Sequence, residues 1–381
     1  MKVRVIDIVF IILFMVALIL PLAFVNLYGG EVSEQENRVL AARPPISDAF
    51  QHPADFIERF DQWLNDNLGF RDSLLGYYGF VKKLENNTQY TDGSYIMLIG
   101  KEGHHYFADI NGWLIEKFQG KTYLDEEQLR ELASGLENVN HYLAKKGIPL
   151  IVMFCVDKET IYPEYYPKSI KRGPDPIQLD IITDYIIKHT DIDIFNIKEN
   201  LLSQKDTYLV FDKNGDSALS HYNEIGAFFA YQELMQHITA YMPEIKAFSI
   251  DDVAITYSDT ITYKNVPDVQ LKSELTYERV DDIFFEGVPL GHPSEGVAFR
   301  NKDSTLPTVL FMRDSYSGNG NYLSRYIPEH FKESVFIHWS NMENFDAYIE
   351  HFKPDIVIFE SAERAISSFA GSLSNLRDLG E

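Results

Sequence analysis

A serine that ends an apolar run and a histidine far upstream of it are the side chains of this sequence best suited to chemistry. The run Leu306-Pro307-Thr308-Val309-Leu310-Phe311-Met312 stops at Arg313-Asp314-Ser315-Tyr316, and small residues follow: Ser317, Gly318, Asn319, Gly320 and Asn321. A short, β-rich apolar run reads as a buried strand. A serine at its end puts a hydroxyl at the carboxyl edge of a sheet, where open α/β sheets build their sites. A plain strand-to-helix turn capped by Asp314 or Ser315 would leave the same local pattern. His221 lies in Leu219-Ser220-His221-Tyr222-Asn223-Glu224, just before a helix expected from Glu224 to Met242 and capped by Asn223. A helix-start histidine without chemistry would look the same there.

Together the two residues are what nucleophilic acyl chemistry needs. A serine is a poor nucleophile until a base takes its proton, and histidine is the side chain tuned to that task near neutral pH. An acid usually orients the histidine. Backbone N–H groups around Ser315 and Tyr316, with the amide of Asn319 or Asn321, can hold an oxyanion. Arg313 is a further expected contact at this edge. Lys158 and Glu159 follow a buried strand and read either as substrate contacts or as a solvated loop pair. Tyr162, Tyr165, Tyr166 and Tyr316 could stack on sugar rings, in a chain where tyrosine is abundant throughout.

The elements that would position these groups alternate between helix and strand. A helix is expected over about Asp125 to Lys146, its apolar face set by Leu129, Leu132, Leu136, Val139 and Leu143, with Gly147 ending it. Pro149 to Val156 reads as a buried strand, Ile177 to His189 as a helix and Asp191 to Phe195 as a short strand. Val335 to His338 and Asp355 to Phe359 are further strands, with a helix from about Phe345 to Phe352 between them. Such alternation predicts a mostly parallel sheet covered by helices. Residues 248–300 read as an irregular β insertion able to overhang the sheet edge. Upstream, Ala54 to Leu84 has a helical pattern broken at Gly69, and Tyr95–Gly100 with Gly103–Phe107 suggests a hairpin turning at Lys101-Glu102-Gly103. His104 and His105 are adjacent on one strand, so they point to opposite faces and are not expected to share a metal.

The chain carries 57 Asp+Glu against 34 Lys+Arg, for a net charge of −23. That excludes nucleic acid as an expected partner, and broad electrostatic binding to anionic lipid with it. Lys2 and Arg4 precede an uncharged run from Ile8 to Val25, interrupted only by Pro21. At roughly 18 residues this reaches the lower range for spanning a bilayer, and no small-x-small cleavage site follows it. The expectation is a single-pass anchor over residues 1–27, N-terminus inside, with the main domain extracytoplasmic at the cell membrane. Residues 28–94 would be a connector and helical stalk, and 95–381 the main domain. The one cysteine, Cys155, lies in an apolar run and is expected as a small buried hydrophobe.

Several stretches, taken in order, resemble the alginate O-acetyltransferase family typified by AlgX and AlgJ. They are Glu36-Asn37-Arg38, Phe60 through Asn65-Asp66, Phe70-Arg71-Asp72, Gly100-Lys101-Glu102-Gly103, Lys158 to Pro163, Ser220 to Ala227, Arg313 to Tyr316, and Lys353 to Ile358 through Glu363-Arg364. The resemblance implies an SGNH-hydrolase-like three-layer α/β/α domain of the DHHW type. It also implies Ser315 as nucleophile and His221 as base, in a motif D-x-H-W-N followed by D-S. Tyr222 stands where Trp is usual, and Leu219 occupies the acid position. A leucine cannot orient an imidazole or stabilise its cation. Either another acid serves, with Asp212 and Asp216 the nearest and Asp314 a third, or catalysis is lost and a binding role kept. The implied activity is O-acyl transfer, most plainly O-acetyl, to a cell-surface or secreted polysaccharide. The implied acyl source is a membrane-bound O-acyltransferase, with no cofactor and no metal. A non-catalytic glycan-binding scaffold and a carbohydrate esterase are the alternatives.

Overall fold

The computed structural model describes residues 10, 14–16, 19–27, 32–33, 38–71, 88–90, 95–109, 113–121, 124–214, 220–258, 266–280, 296–317, 322–376 and 379. The chain divides into two compact units, one of Met1–Ile99 with Ala108–Asn111 and one of Gly100–Phe107 with Gly112–Glu381.

The second unit is built on a seven-stranded sheet. Its strands, in chain order, are β1 (Leu150–Cys155), β2 (Asp193–Asn196), β3 (Tyr277–Arg279), β4 (Gly296–Asn301), β5 (Thr308–Arg313), β6 (Glu333–His338) and β7 (Ile356–Ala362). They lie side by side as β3-β4-β6-β5-β7-β1-β2. The neighbours from β6 to β2 are parallel, whereas β4 pairs antiparallel with both β3 and β6. Strands β1, β5 and β7 are buried along their whole length, which is why each reads as a continuous apolar run.

The helices start and stop where local chemistry dictates. Helix α1 (Glu126–Ala144) begins in a capping box: Asp125 accepts the Gln128 N–H and Gln128 accepts the Asp125 N–H. Leu129, Leu132, Leu136, Val139 and Leu143 form its buried face, and Gly147, at φ +75°, supplies the left-handed turn beyond it. Helices α2 (Gln178–His189), α3 (Glu224–Tyr241), α4 (Phe345–Phe352) and α5 (Ile366–Leu373) are the other described helices of eight or more residues in this unit.

The stretch expected as a β insertion is divided between two structures. Val253–Ser258 and Val266–Leu271 form a separate antiparallel hairpin, but β3 and β4 belong to the central sheet. The β-branched and aromatic residues of this stretch, with scattered Gly and Pro, point to strands but do not say which sheet they join. The central sheet takes β3 and β4 as its antiparallel edge in place of the expected overhang.

In the first unit, helix Pro53–Asn67 starts with proline at its first turn and ends before Gly69. The expected continuation to Leu84 falls outside the described residues from 72 onward. Lys101–Gly103, which belongs to the second unit, is a 3-10 turn that follows strand Tyr95–Ile99 and precedes strand His105–Asp109 in the chain. No helix among the described residues is long and apolar enough to cross a membrane. Much of the expected anchor (residues 1–9, 11–13 and 17–18) lies outside them.

Candidate active site

Three adjacent parallel strands, β5, β7 and β1, deliver the chemistry at their carboxyl ends. After β5 the chain turns because the Asp314 carboxylate accepts two backbone N–H groups, from Tyr316 at 2.8 Å and from Ala362 on β7 at 2.6 Å. The Asp314 N–H and the Ser317 hydroxyl both donate to Oε2 of Glu360, at 3.2 and 2.9 Å. Asp314 and Tyr316 are thereby held inside, and Ser315 between them is exposed. Burial, then the neighbouring Asp314, push the Glu360 carboxyl well above the ordinary range, which favours its protonated form.

His221 is presented by the turn into α3. Asn223 caps that helix by accepting the N–H groups of Ile225 and Gly226, while its own amide donates to Leu209 O and to the Asp212 carboxylate. Gly226 is required here, since a Cβ would sit 2.3 Å from Val210 O. The imidazole faces the rings of Tyr316, at 4.7 Å, and Tyr322, parallel at 6.0 Å. Its Nε2 lies 2.7 Å from Ser315 Oγ, and its Nδ1 lies 2.9 Å from Ser220 Oγ. Burial and then the Arg364 cation pull its pKa down to about 4, which keeps the ring neutral at pH 7. A neutral imidazole in hydrogen-bond contact with a serine hydroxyl is a general base in position.

Of the other expected site residues, several are placed away from the reacting hydroxyl. Asp212 does not meet the imidazole; its carboxylate accepts from Asn223, and burial raises its pKa. Lys158 and Glu159 are neither solvated nor at the substrate face. Lys158 is fully buried, and Nζ donates to the carbonyls of His105, Asp212 and Lys213 at 2.8, 2.6 and 3.0 Å. Burial draws its pKa down to about 7. Its effect is to pin the loop that leads to His221. Arg313 is also buried, with Nη1 on Asp314 O at 3.1 Å. Tyr316 is buried too, so its face is not offered to a sugar, and its N–H is taken by Asp314 rather than left for an oxyanion. The Ser315 N–H meets no acceptor among the described residues. Asp216, Leu219, Asn319 and Asn321 lie outside the described residues.

The sequence reading missed four residues: Ser220, Tyr322, Asp157 and the partnership of Arg364. The Tyr316 hydroxyl lies 2.5 Å from Ser220 O, and Arg364 Nη1 donates to that same carbonyl at 3.0 Å. Arg364 also binds Asp157 Oδ1 at 2.5 Å, and Lys117 holds Oδ2 at 2.6 Å. Burial raises the Asp157 carboxyl, but Lys117 and then Arg364 outweigh it and keep it ionised. Glu363 closes the cluster, 3.2 Å from Lys117 and accepting from Thr160 Oγ1 at 2.7 Å. Position was a signal for both, since Asp157 and Arg364 each stand two residues past a buried strand, and Arg364 also closes the last stretch of the family resemblance. Cys155, beneath this layer, is buried, and its thiol is pushed well up, first by burial and then by Glu360.

The family described as SGNH hydrolase-like domain, acetyltransferase AlgX, matches residues 110–352. No curated protein is similar in sequence. Among solved structures, Bacillus cereus PatB1 is 13% identical with a TM-score of 0.52, covering 71% of this chain and 97% of its own. PatB1 with a sulfonyl adduct is 13% identical with a TM-score of 0.50, over 64% of this chain and 92% of its own. A DHHW family protein from Eubacterium siraeum is 11% identical with a TM-score of 0.50, over 76% and 97%. At these identities the structural likeness speaks for the fold alone.

Proposed function

The chain belongs to the family of the SGNH hydrolase-like domain of the acetyltransferase AlgX, and on that premise we propose that it is an O-acyltransferase, most plainly an O-acetyltransferase, acting on a cell-surface or secreted polysaccharide. The observation that carries this reading is the 2.7 Å contact between His221 Nε2 and the exposed Ser315 Oγ. In the first half-reaction Ser315 Oγ bonds to the acyl carbonyl carbon while its proton passes to Nε2. The donor's leaving group departs with that proton, and an acyl-Ser315 ester remains. In the second, a sugar hydroxyl gives its proton to Nε2 and bonds to the same carbon, and Ser315 leaves as the hydroxyl. The Ser315 N–H is the backbone donor open to the oxyanion, and the amides of Asn319 and Asn321 are the further donors expected from the sequence. The acyl donor would be supplied by a membrane-bound O-acyltransferase. The apolar run Ile8–Val25 would anchor the chain in the same membrane, with the site on the extracytoplasmic side.

A second reading has its own support. Among the described residues, the partner of His221 Nδ1 is a hydroxyl and not a carboxylate, which favours a slow enzyme or a glycan-binding scaffold. Esterase activity uses the same residues, with water replacing the sugar hydroxyl. The test is intact-mass analysis of the full chain after exposure to an acetylated chromogenic ester. An acetyl adduct is expected on the native protein and is expected to vanish in both Ser315→Ala and His221→Ala. An adduct that survives Ser315→Ala would sink the assignment. Saturable glycan binding without any adduct would favour the scaffold.

A further inference from the structure

We propose that the Ser220 hydroxyl is the positioning group for His221: it accepts the Nδ1–H and so turns the Nε2 lone pair toward Ser315. Its consequence for rate rests on the acyl-transfer reading above, but its geometry does not. The contact is 2.9 Å, and on the opposite side of the ring Nε2 is 2.7 Å from Ser315 Oγ. A neutral imidazole carries one N–H, so whichever nitrogen holds it decides whether the other can act as a base. With the proton on Nε2, a hydrogen would point at Ser315 and the base would be absent. An acceptor at Nδ1 selects the productive form.

The acceptor is held in place by the buried layer below it. The carbonyl of Ser220 receives Arg364 Nη1 at 3.0 Å and the Tyr316 hydroxyl at 2.5 Å. Arg364 is fixed in turn by Asp157. The Ser220 peptide is therefore clamped from two sides, and its side chain has a short, defined reach to the ring. In this way Asp157 acts on His221 through Arg364 and Ser220, without touching the ring.

A hydroxyl differs from a carboxylate in one respect that matters here. It can donate as well as accept, so it biases the tautomer without forcing it, and it adds no negative charge to stabilise an imidazolium. The Arg364 cation beside the ring works against protonation in the same direction. The hydroxyl supplies orientation without charge, and the Asp314 and Asp157 carboxylates favour the charged ring less than burial and Arg364 oppose it.

The test uses the full chain with ¹⁵N-labelled histidine, the His221 resonances being assigned by their loss in His221→Gln. The native protein is expected to show Nδ1 protonated and Nε2 bare at pH 7. Ser220→Ala is expected to shift the population toward the Nε2–H form and to slow acyl-Ser315 formation about tenfold, the scale of one neutral hydrogen bond, at unchanged KM. Ser220→Thr keeps the hydroxyl and is expected to restore both the tautomer and most of the rate. An unchanged tautomer in Ser220→Ala, or a native protein with Nε2 already protonated, would overturn the proposal. The tautomer is read without turnover, so a protein that forms no acyl-enzyme defeats the acyl-transfer reading while still testing Ser220.

Discussion

Two buried polar clusters lie beneath Ser315 and His221, and they solve the same problem in opposite ways. Under Ser315, Asp314, Ser317 and Glu360 hold the turn through a carboxyl whose pKa burial and Asp314 push well up. Under His221, Lys117, Asp157, Glu363 and Arg364 hold the turn with ions matched against ions. One strand end supplies both, since Glu360 is in β7 and Glu363 lies just past its end. Burial penalises a lone charge heavily. A buried carboxyl must therefore either protonate or find a cation. Among the described residues Glu360 meets no cation and its pKa is pushed well up, whereas Asp157 meets two and its pKa is held down. Local partners, and not depth, decide which state each carboxyl takes.

The comparison breaks most sharply at Arg364. Arg364→Met removes a cation from a buried carboxylate and a donor from the Ser220 carbonyl, with similar side-chain length retained. Removing one partner of a buried ion pair typically costs about 3–5 kcal/mol, and a loss of that size is expected in urea unfolding. A loss below about 1 kcal/mol, the range of exposed pairs, would mean that Asp157 is not held ionised by Arg364.

On the other side, Glu360 should behave as a neutral hydrogen-bonding group. Glu360→Gln has nearly the same shape and can still accept from Asp314 N–H and Ser317 Oγ–H, so a change within about 1 kcal/mol is expected. Glu360→Ala leaves both donors buried without an acceptor and opens a cavity, for an expected loss of about 2–4 kcal/mol. Equal damage from Gln and Ala would show that Glu360 works as an anion and would erase the contrast with the charged cluster.

These clusters also mark where sequence reading stops. The strands of the parallel core were legible because strands buried on both faces become unbroken apolar runs, as in Leu150–Cys155 and Thr308–Met312. Helix ends were legible because Asn223 and Gly147 act on their own neighbours in the chain. Ser315 and His221 could be paired because both stand at element boundaries that a parallel sheet brings to one edge. Lys158 and Glu159 were misread because two adjacent charges are normally solvated. Their burial depends on carbonyls at His105 and Asp212 and on Lys117, all remote in sequence. The orienting partner of His221 was missed for the opposite reason. It is the adjacent residue, and a serine there gives no sign that its carbonyl is clamped by Tyr316 and Arg364.

The finest test of the comparison is Glu159, which belongs to the charged cluster yet follows the neutral rule. It lies 3.7 Å from Lys117, farther than Asp157 or Glu363. Burial, then the Asp157 carboxylate, raise its pKa to about 8, with Lys117 only partly opposing them. A carboxyl whose folded pKa lies above its unfolded value of 4.5 holds its full stabilisation below that value. The stabilisation is lost as pH rises through about 8, because the unfolded chain releases the proton first. Glu159→Gln cannot ionise and should flatten that dependence. The two proteins are expected to match within about 1 kcal/mol at pH 5, with the glutamine form the more stable by about 3–4 kcal/mol at pH 8.5. Urea midpoints at the two pH values decide it. Parallel curves would place Glu159 among the ions, with Lys117 sufficient for three carboxylates; divergence would show that the cation stops at two and that the third carboxyl keeps its proton, as Glu360 does beneath Ser315.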